Sequence, residues 1–409
     1  MRPSKLLTLL SLPGTDAAPK LVVTEQAGEE PFNGWFENES GEIVGRLEAF
    51  RPAFVNFAPV TDSERAAAKE GAQPALRPRV TFTSCRDPRV EWSGQPIELE
   101  DYLKGFNGDE RGIAARFSSR APQIEVGLYA HAWSGLAEVY ANGALVATVD
   151  LFNRENGVLR RVSVFNPTQS NVLIEVQPAG KKAPEAFYTQ VLLEGFFEYS
   201  AELEIPSYRK SQNINRGGAF HSRFYEILAS LPPDAVVIDV GGGKRQIADE
   251  RYINLEYSRF EEPDLFGDGT KLPFRSNSVD FVYTAAVLEH VTDPLAMGRE
   301  IFRILKPGGL VLANSAFMQP IHSEGQHFFN LTPYGIDLTF KDFANRRVWW
   351  DTGFEFTMQW FVDVLSVRGR LPQEKLDQFI NLAKEISAAI PEDRGMYVAS
   401  SVWVEGTKP

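Results

Sequence analysis

At 409 residues the chain is too long for a single hydrophobic core and divides into two or three domains. A net charge of −12 and a pI near 5.1 argue against an extended nucleic-acid surface. The lone cysteine, Cys85, excludes an intrachain disulfide framework and fits a reducing compartment, and no apolar run reaches the ~20 residues of a membrane span. The expectation is an acidic, soluble, cytoplasmic protein.

The chain opens M-R-P-S-K-L-L-T-L-L-S-L-P-G, a basic start and a short apolar run that mimics a secretory signal. Pro13 and Gly14 cut that run at its lower length limit, so a signal is not the preferred reading. Residues 1–76 contain two candidate strands, Leu21–Val23 and Ala53–Phe57, and a short solvated helix from Ser63 to Glu70. They read as a small β element packed on the domain next in the chain, with no chemistry of their own.

Over residues 77–205 the period changes to two. Ile124, Val126 and Leu128 alternate with Glu125, Gly127 and Tyr129, and Ala141-Asn142-Gly143-Ala144 carries the strongest short hairpin signal. Further strands are expected at Arg161–Phe165, Val172–Val176 and Val191–Tyr199. Short strands with turns between them and no helical pattern predict an antiparallel β-sandwich, jelly-roll-like. With Ile124, Val126, Leu128 and Ala130 inward, Tyr129, His131 and Trp133 point outward as an aromatic row suited to a sugar ring. The same residues equally serve to cover the other sheet or a neighbouring domain. In pattern alone this layout resembles the β-sandwich carbohydrate-binding modules.

Residues 206–218 are polar and read as a linker. An amphipathic helix is predicted from Ala219 to Leu231, stopped by Pro232-Pro233. Then comes A-V-V-I-D-V-G-G-G, an apolar run without polar alternation, as a strand buried on both faces requires. Asp239 ends it, and Gly241, Gly242 and Gly243 let the backbone turn tightly with no Cβ between it and a ligand. The second strand, Tyr252–Leu255, ends in Glu256, where an acid in a nucleotide-binding α/β unit accepts from ribose hydroxyls. Asp268 follows a short third strand, where a carboxylate can take an adenine amine. The fourth strand, Ser278–Tyr283, runs into Thr284-Ala285-Ala286, whose small side chains leave room at the strands' carboxyl ends. Asp293-Pro294 caps a helix that Lys306-Pro307-Gly308-Gly309 stops before a fifth strand at Leu310–Ala313. Gly353–Phe356 fits a sixth strand, Pro372–Ile390 an amphipathic helix, and Met396–Val404 a long last strand.

The segments I-D-V-G-G-G, N-L-E-Y, G-D-G-T-K-L-P-F, V-D-F-V-Y-T-A-A-V-L-E-H-V and L-K-P-G-G-L, in this order, resemble the class I S-adenosylmethionine-dependent methyltransferases. The resemblance covers residues 219–409 and implies a Rossmann-like, seven-stranded α/β domain with S-adenosylmethionine as cofactor. It implies that Gly241 and Gly243 approach the methionine part, Glu256 holds the ribose, and Asp268 with Gly269 meets the adenine edge, with Asp239, Gly242 and Tyr257 also in the cofactor-binding set. Ala285, Ala286, Glu289 and His290 complete the expected cofactor-binding set, His290 as a structural group beneath the cofactor. Two departures stand out. Arg245 occupies the place of the family's third glycine, and only Lys244 to Arg251 remain for the first helix.

Q-P-I-H-S-E-G-Q-H-F-F-N-L-T-P-Y-G resembles a segment of methyltransferases often found among cell-surface glycan genes. Transfer of a methyl group to a hydroxyl needs positioning and a base near the acceptor oxygen. His322 is the first candidate base, with Glu324 and His327 after it. These three do not form a closed ligand set, so no metal is expected. Trp349, Trp350, Trp360 and Phe361 are candidates to roof the acceptor pocket or to fill core. The expected function is O-methylation of a sugar hydroxyl of a glycan or glycoconjugate, with no nucleic-acid partner. Two alternatives remain: a small-molecule or lipid-linked-precursor methyltransferase whose sandwich is a homo-oligomerisation surface, and a non-catalytic glycan-binding protein.

Overall fold

The computed structural model describes residues 3–55, 57–99, 103–108, 112–153, 158–206, 219–322, 327–364 and 371–409. Two compact units result, one of residues 1–75 with 207–409 and one of residues 76–206. The expected linker at 206–218 and the candidate base Glu324 lie almost wholly or wholly outside the described residues.

In the first unit the β-branched run becomes strand β1 (Val237–Val240), buried at every position. Around it lie β2 (Tyr252–Glu256), β3 (Leu265–Phe266), β4 (Val279–Ala285), β5 (Leu305–Ala316), β6 (Ala344–Thr352) and β7 (Ser401–Thr407). Their order is β6-β7-β5-β4-β1-β2-β3. Strands β1 to β5 pair in parallel, and β7 runs antiparallel to both β5 and β6. Helix α1 (Ser222–Ser230) packs Phe224, Ile227 and Leu228 on Val237, Tyr252, Phe281 and Tyr283. Helix α2 (Pro294–Ile304), capped by Asp293, packs Met297, Ile301 and Ile304 in the core cluster that holds Ile238, Val240 and Leu255. Two different clusters thus cover the sheet, as an α/β layer arrangement requires.

The sheet does not stop at β3. Strands Arg51–Ala53, Ile43–Glu48, Glu30–Glu37, Lys20–Ala27 and Gln73–Pro74 extend it to twelve, through the parallel pair Phe266–Ala53. Leu6 and Leu10 enter the same core as Leu272 and Phe274, and the Ser11 N–H donates to the Pro273 carbonyl at 3.1 Å. The first 75 residues therefore build onto this sheet, as part of the same compact unit. A two-residue β3 leaves its outer edge open, and the antiparallel meander covers that edge.

Three local readings are corrected. Gly353–Phe356 is not the sixth strand: that strand is Ala344–Thr352, and Phe354 begins helix α3 (Phe354–Val364). No helix forms between Lys244 and Arg251. In helix α4 (Gln373–Ala389), Leu376 and Ala383 are buried, whereas Phe379, Leu382 and Ile386 are exposed. No helix among the described residues is long and apolar enough to cross a membrane.

The second unit consists of two antiparallel sheets over one core. One sheet is ordered Ala144–Asp150, Leu136–Ala141, Val172–Pro178, Ala115–Ser119, Glu91–Trp92. The other holds Val158–Phe165, Gln123–Ala130, Val191–Glu204, Leu103–Phe106 and Ile97–Leu99, with Arg77–Ser84 also on Val191–Glu204. Phe117 and Phe196, one from each sheet, stack at 4.5 Å between ring centroids. Asn142 (φ 48°) and Gly143 (φ 78°) form the hairpin turn, both left-handed as a type I′ turn demands. The outward aromatic row does not form. The strand ends at Ala130, His131 is 7% exposed, and Tyr129 packs against Leu103 and Leu192. Burial pushes the His131 imidazole down to about 4.

Candidate functional site

The glycine loop is held from the neighbouring strand. The Asn254 amide donates to the carbonyls of Gly243 (3.0 Å) and Arg245 (2.9 Å), and the Gly243 N–H donates to Glu256 Oε2 at 2.8 Å. Gly241 (φ 72°) and Gly243 (φ 53°) are left-handed. A Cβ on Gly241 would lie 2.4 Å from Val287 Cγ2, and one on Gly242 would lie 2.3 Å from Asn254 Oδ1. Beside Gly243 a Cβ would meet nothing within 4 Å, so the loop's open side is there.

Arg245 explains its own departure from the glycine pattern. Its guanidinium forms a two-pronged ion pair with Asp239, 2.8 and 2.9 Å, and donates to the Gly241 carbonyl at 3.0 Å. Tyr252 donates its hydroxyl to the same carboxylate at 2.9 Å. Burial alone would lower the Arg245 pKa, but the Asp239 charge and hydrogen bonds raise it above the usual arginine range. Asp239 is fully buried and engaged on both oxygens, so its role is to hold the loop from below.

Glu256 Oε1 accepts from the N–H groups of Tyr257 (2.8 Å) and Ser258 (3.0 Å). With Gly243 on Oε2, three of about four carboxylate acceptor positions are used, and Oε2 keeps one. The Tyr257 side chain is 50% exposed. Asp268 Oδ1 accepts from the Thr270 N–H and hydroxyl, while Oδ2 carries no hydrogen bond among the described residues. Gly269 lies beneath it, where a Cβ would stand 3.2 Å from Met297 Sδ.

Segment 285–290 joins this end to a second cluster. The Ala285 carbonyl accepts from Arg245 at 3.5 Å, Ala286 is left-handed (φ 58°) and exposed, and Val287 abuts Gly241. The 3₁₀ turn Leu288–His290 then carries Glu289 and His290 to His322 and His327. Ring centroids lie at 5.2 Å for His290–His322, 5.6 Å for His290–His327 and 4.5 Å for His322–His327. Glu289 and His290 thus reach toward the histidine loop: Glu289 is 1% exposed, accepts from Ser315 at 3.1 Å, and gives its backbone carbonyl to the Phe328 N–H at 2.7 Å. Burial holds the Glu289 carboxyl above its ordinary value.

The imidazole tautomers follow from their partners. His322 Nδ1 lies 3.1 Å from the Pro320 carbonyl, which can only accept, so Nδ1 carries the proton and Nε2 the lone pair. The Asn330 amide donates to the Gln319 carbonyl, turning its Oδ1 to His327 Nε2 at 2.8 Å. His327 Nδ1 therefore carries a lone pair, and it is buried without a hydrogen-bond partner among the described residues. Burial pushes the His322 imidazole down to about 4, against the Pro320 carbonyl, with His327 and His290 adding to the fall. Of the four candidate roofing aromatics, Trp360 reaches the cluster, 4.9 Å from His322. Trp349 stacks on Trp403, and a Cβ on Gly395 would lie 2.0 Å from the Trp350 ring.

Sequence reasoning missed Asn254 and Tyr252 as loop holders, although both stand in the second strand of the motif series. It also kept Glu289 and His290 apart from the histidine loop.

Residues 218–313 match the family model of a methyltransferase domain. An uncharacterized methyltransferase of Mycobacterium sp. (strain JLS) is 43% identical over 123 residues, covering 26% of this chain and 47% of that protein. One from Mycobacterium tuberculosis (strain H37Ra) is 33% identical over 148 residues, covering 28% and 57%. The chain spans about half the length of the curated relatives it matches. Among solved structures, a SAM-dependent methyltransferase of Thermotoga maritima superposes with a TM-score of 0.31 at 18% identity, over 46% of this chain and 88% of that one. Phosphoethanolamine N-methyltransferase 2 of Haemonchus contortus, solved with S-adenosylhomocysteine, gives 0.30 at 18%, over 46% and 52%. Over residues 218–313 the chain is thus similar to methyltransferase domains.

Proposed function

We propose that this chain is an S-adenosylmethionine-dependent O-methyltransferase whose acceptor is a sugar hydroxyl of a glycan or glycoconjugate. The observation that carries the reading is one segment, 285–290, touching a clamped glycine loop at one end and a histidine cluster at the other. When bound, S-adenosylmethionine supplies a methyl group activated by a sulfonium. The residues fit it. Gly241 and Gly243 admit a close approach, Glu256 Oε2 keeps an acceptor position for a ribose hydroxyl, and Asp268 Oδ2 suits an adenine amine. Arg245 does not close the site, because its guanidinium lies against Asp239 while the space beside Gly243 stays open.

On the acceptor side, His327 is the better base. Its Nδ1 lone pair is already oriented, whereas an imidazole held near 4 takes a proton from a hydroxyl reluctantly. The glycan assignment rests on the likeness of the histidine loop to glycan-associated methyltransferases and on Trp360, an exposed ring beside His322. A second reading, a lipid-linked acceptor, is favoured by Ile321, Phe328 and Phe329, all exposed and next in the chain to His322 and His327.

Calorimetry with S-adenosylhomocysteine tests the cofactor half, and absence of binding at millimolar ligand sinks it. Glu256→Ala is expected to weaken that binding about 10–100-fold, which is ~1.4–2.8 kcal/mol. His327→Ala is expected to leave binding unchanged and to slow transfer about 10²–10⁴-fold in a radiolabelled methyl assay on glycan and lipid-linked acceptor panels. Labelling confined to lipid-linked acceptors would replace the first reading with the second.

A further inference from the structure

We infer that Glu289, His290 and His322 form a binding site for a divalent first-row metal ion, with zinc the natural occupant. One ligating atom from each lies within 4.8 Å of the others. Tetrahedral ligands at the usual ~2.0–2.1 Å stand about 3.3 Å apart, so small side-chain rotations close the set. An N, N, O donor set of two imidazoles and a carboxylate is one that zinc and its neighbours accept, with positions left open.

The surroundings are arranged as a metal site's are. A ligating histidine gives its other N–H to a carbonyl or carboxylate, and His322 does so to the Pro320 carbonyl, which leaves the lone pair on Nε2. A ligating carboxylate is itself hydrogen-bonded, and Glu289 accepts from Ser315. Glu289 is also a buried acid that no lysine or arginine among the described residues pairs with. An ionised carboxylate in that position calls for a cation. His322 Nε2 and, in the next ring 4.5 Å away, His327 Nδ1 place two lone pairs in one cluster, the latter buried with no hydrogen-bond partner among the described residues. A cation removes both conflicts.

The site's existence stands apart from the methyltransferase reading, whereas its purpose rests on that reading. An ion there acts as a Lewis acid on the acceptor hydroxyl and lowers its pKa. The hydroxyl proton passes to His327 Nδ1, the oxygen pair forms the new O–C bond, and the pair of the broken C–S bond stays on sulfur.

The full-length protein, stripped with a chelator and dialysed against micromolar Zn²⁺, should retain one ion per chain by elemental mass spectrometry. Co²⁺ in its place should give the visible absorption of a four- or five-coordinate site. His322→Ala and Glu289→Gln, each checked for folding by circular dichroism, should weaken Zn²⁺ binding by more than the ~10–100-fold that loss of an outer-shell partner costs. His131→Gln, in the other unit, should bind as the parent does. Folded parent protein without zinc, or unchanged affinity in the folded His322→Ala variant, overturns the site. Calorimetry with S-adenosylhomocysteine on the same samples keeps the two ideas apart. Cofactor binding without metal refutes only the metal site, and metal binding without cofactor refutes only the methyltransferase reading.

Discussion

The two ends of the site handle buried polarity in opposite ways. At the glycine loop the charged side chains are matched: Asp239 to Arg245 and Tyr252, and Glu256 to three backbone N–H groups. At the histidine loop, imidazole lone pairs are fixed in direction, and that of His327 Nδ1 has no hydrogen-bond partner among the described residues. A matched set holds shape and offers a ligand space and the few acceptor positions it leaves over, on Glu256 Oε2 and Asp268 Oδ2. A bare set costs stability and offers reactivity. The comparison assigns rigidity to the first end and chemistry to the second.

The hardest test of that assignment is Arg245→Ala. It leaves the Asp239 carboxylate buried with no cation, which costs about 3–5 kcal/mol. Chemical denaturation should show that loss, and the paired change Asp239→Asn with Arg245→Met should recover much of it. A loss below ~1 kcal/mol would mean that the ion pair does not hold the loop, and the contrast between the ends would fall. Gly241→Ala comes next. The left-handed backbone costs ~1–2 kcal/mol for a side chain, and moving Val287 adds ~1–2 more. Gly243→Ala, equally left-handed but with open space beside it, should cost only the first part, ~1–2 kcal/mol, by the same measurement. Equal costs at the two glycines would show that Val287 yields freely.

What the sequence disclosed was local. The strand, acid and glycine run, the Asn142-Gly143 turn, the Asp293-Pro294 helix start and the solvated helix at Asp62–Lys69 each rest on neighbours a few residues apart. What it hid was long-range or depended on a competing period. No pattern in residues 51–53 announces pairing with Phe266, about 200 residues later in the chain. The alternation at Gly353–Phe356 looks like a strand only until Met358, Phe361 and Val362 are counted into a helical period. The aromatic row failed because the strand stopped at Ala130, one residue before His131. In the site, Arg245 was visible as an oddity, but its partner was not: an arginine six residues beyond an acid pairs with it only if the chain doubles back without a helix. Glu289 and His322 are far apart in sequence, and only the short turn after β4 brings them together.

The smallest effect probes the segment the two ends share. Ala286 sits at φ 58° with its side chain exposed, so no packing repays the strain of a left-handed alanine, about 1 kcal/mol. Ala286→Gly removes that strain but gives back ~0.4–1 kcal/mol of unfolded-chain entropy, for a net gain of up to ~0.6 kcal/mol in denaturation. If the kink serves to carry Glu289 and His290 across to the histidine loop, the more stable glycine variant should keep cofactor affinity and lose transfer rate. Its backbone no longer has to hold one conformation between the matched end and the bare one. A glycine variant that is more stable and equally fast would mean that the kink is a by-product of ending β4, and that Val287 alone ties the two ends together.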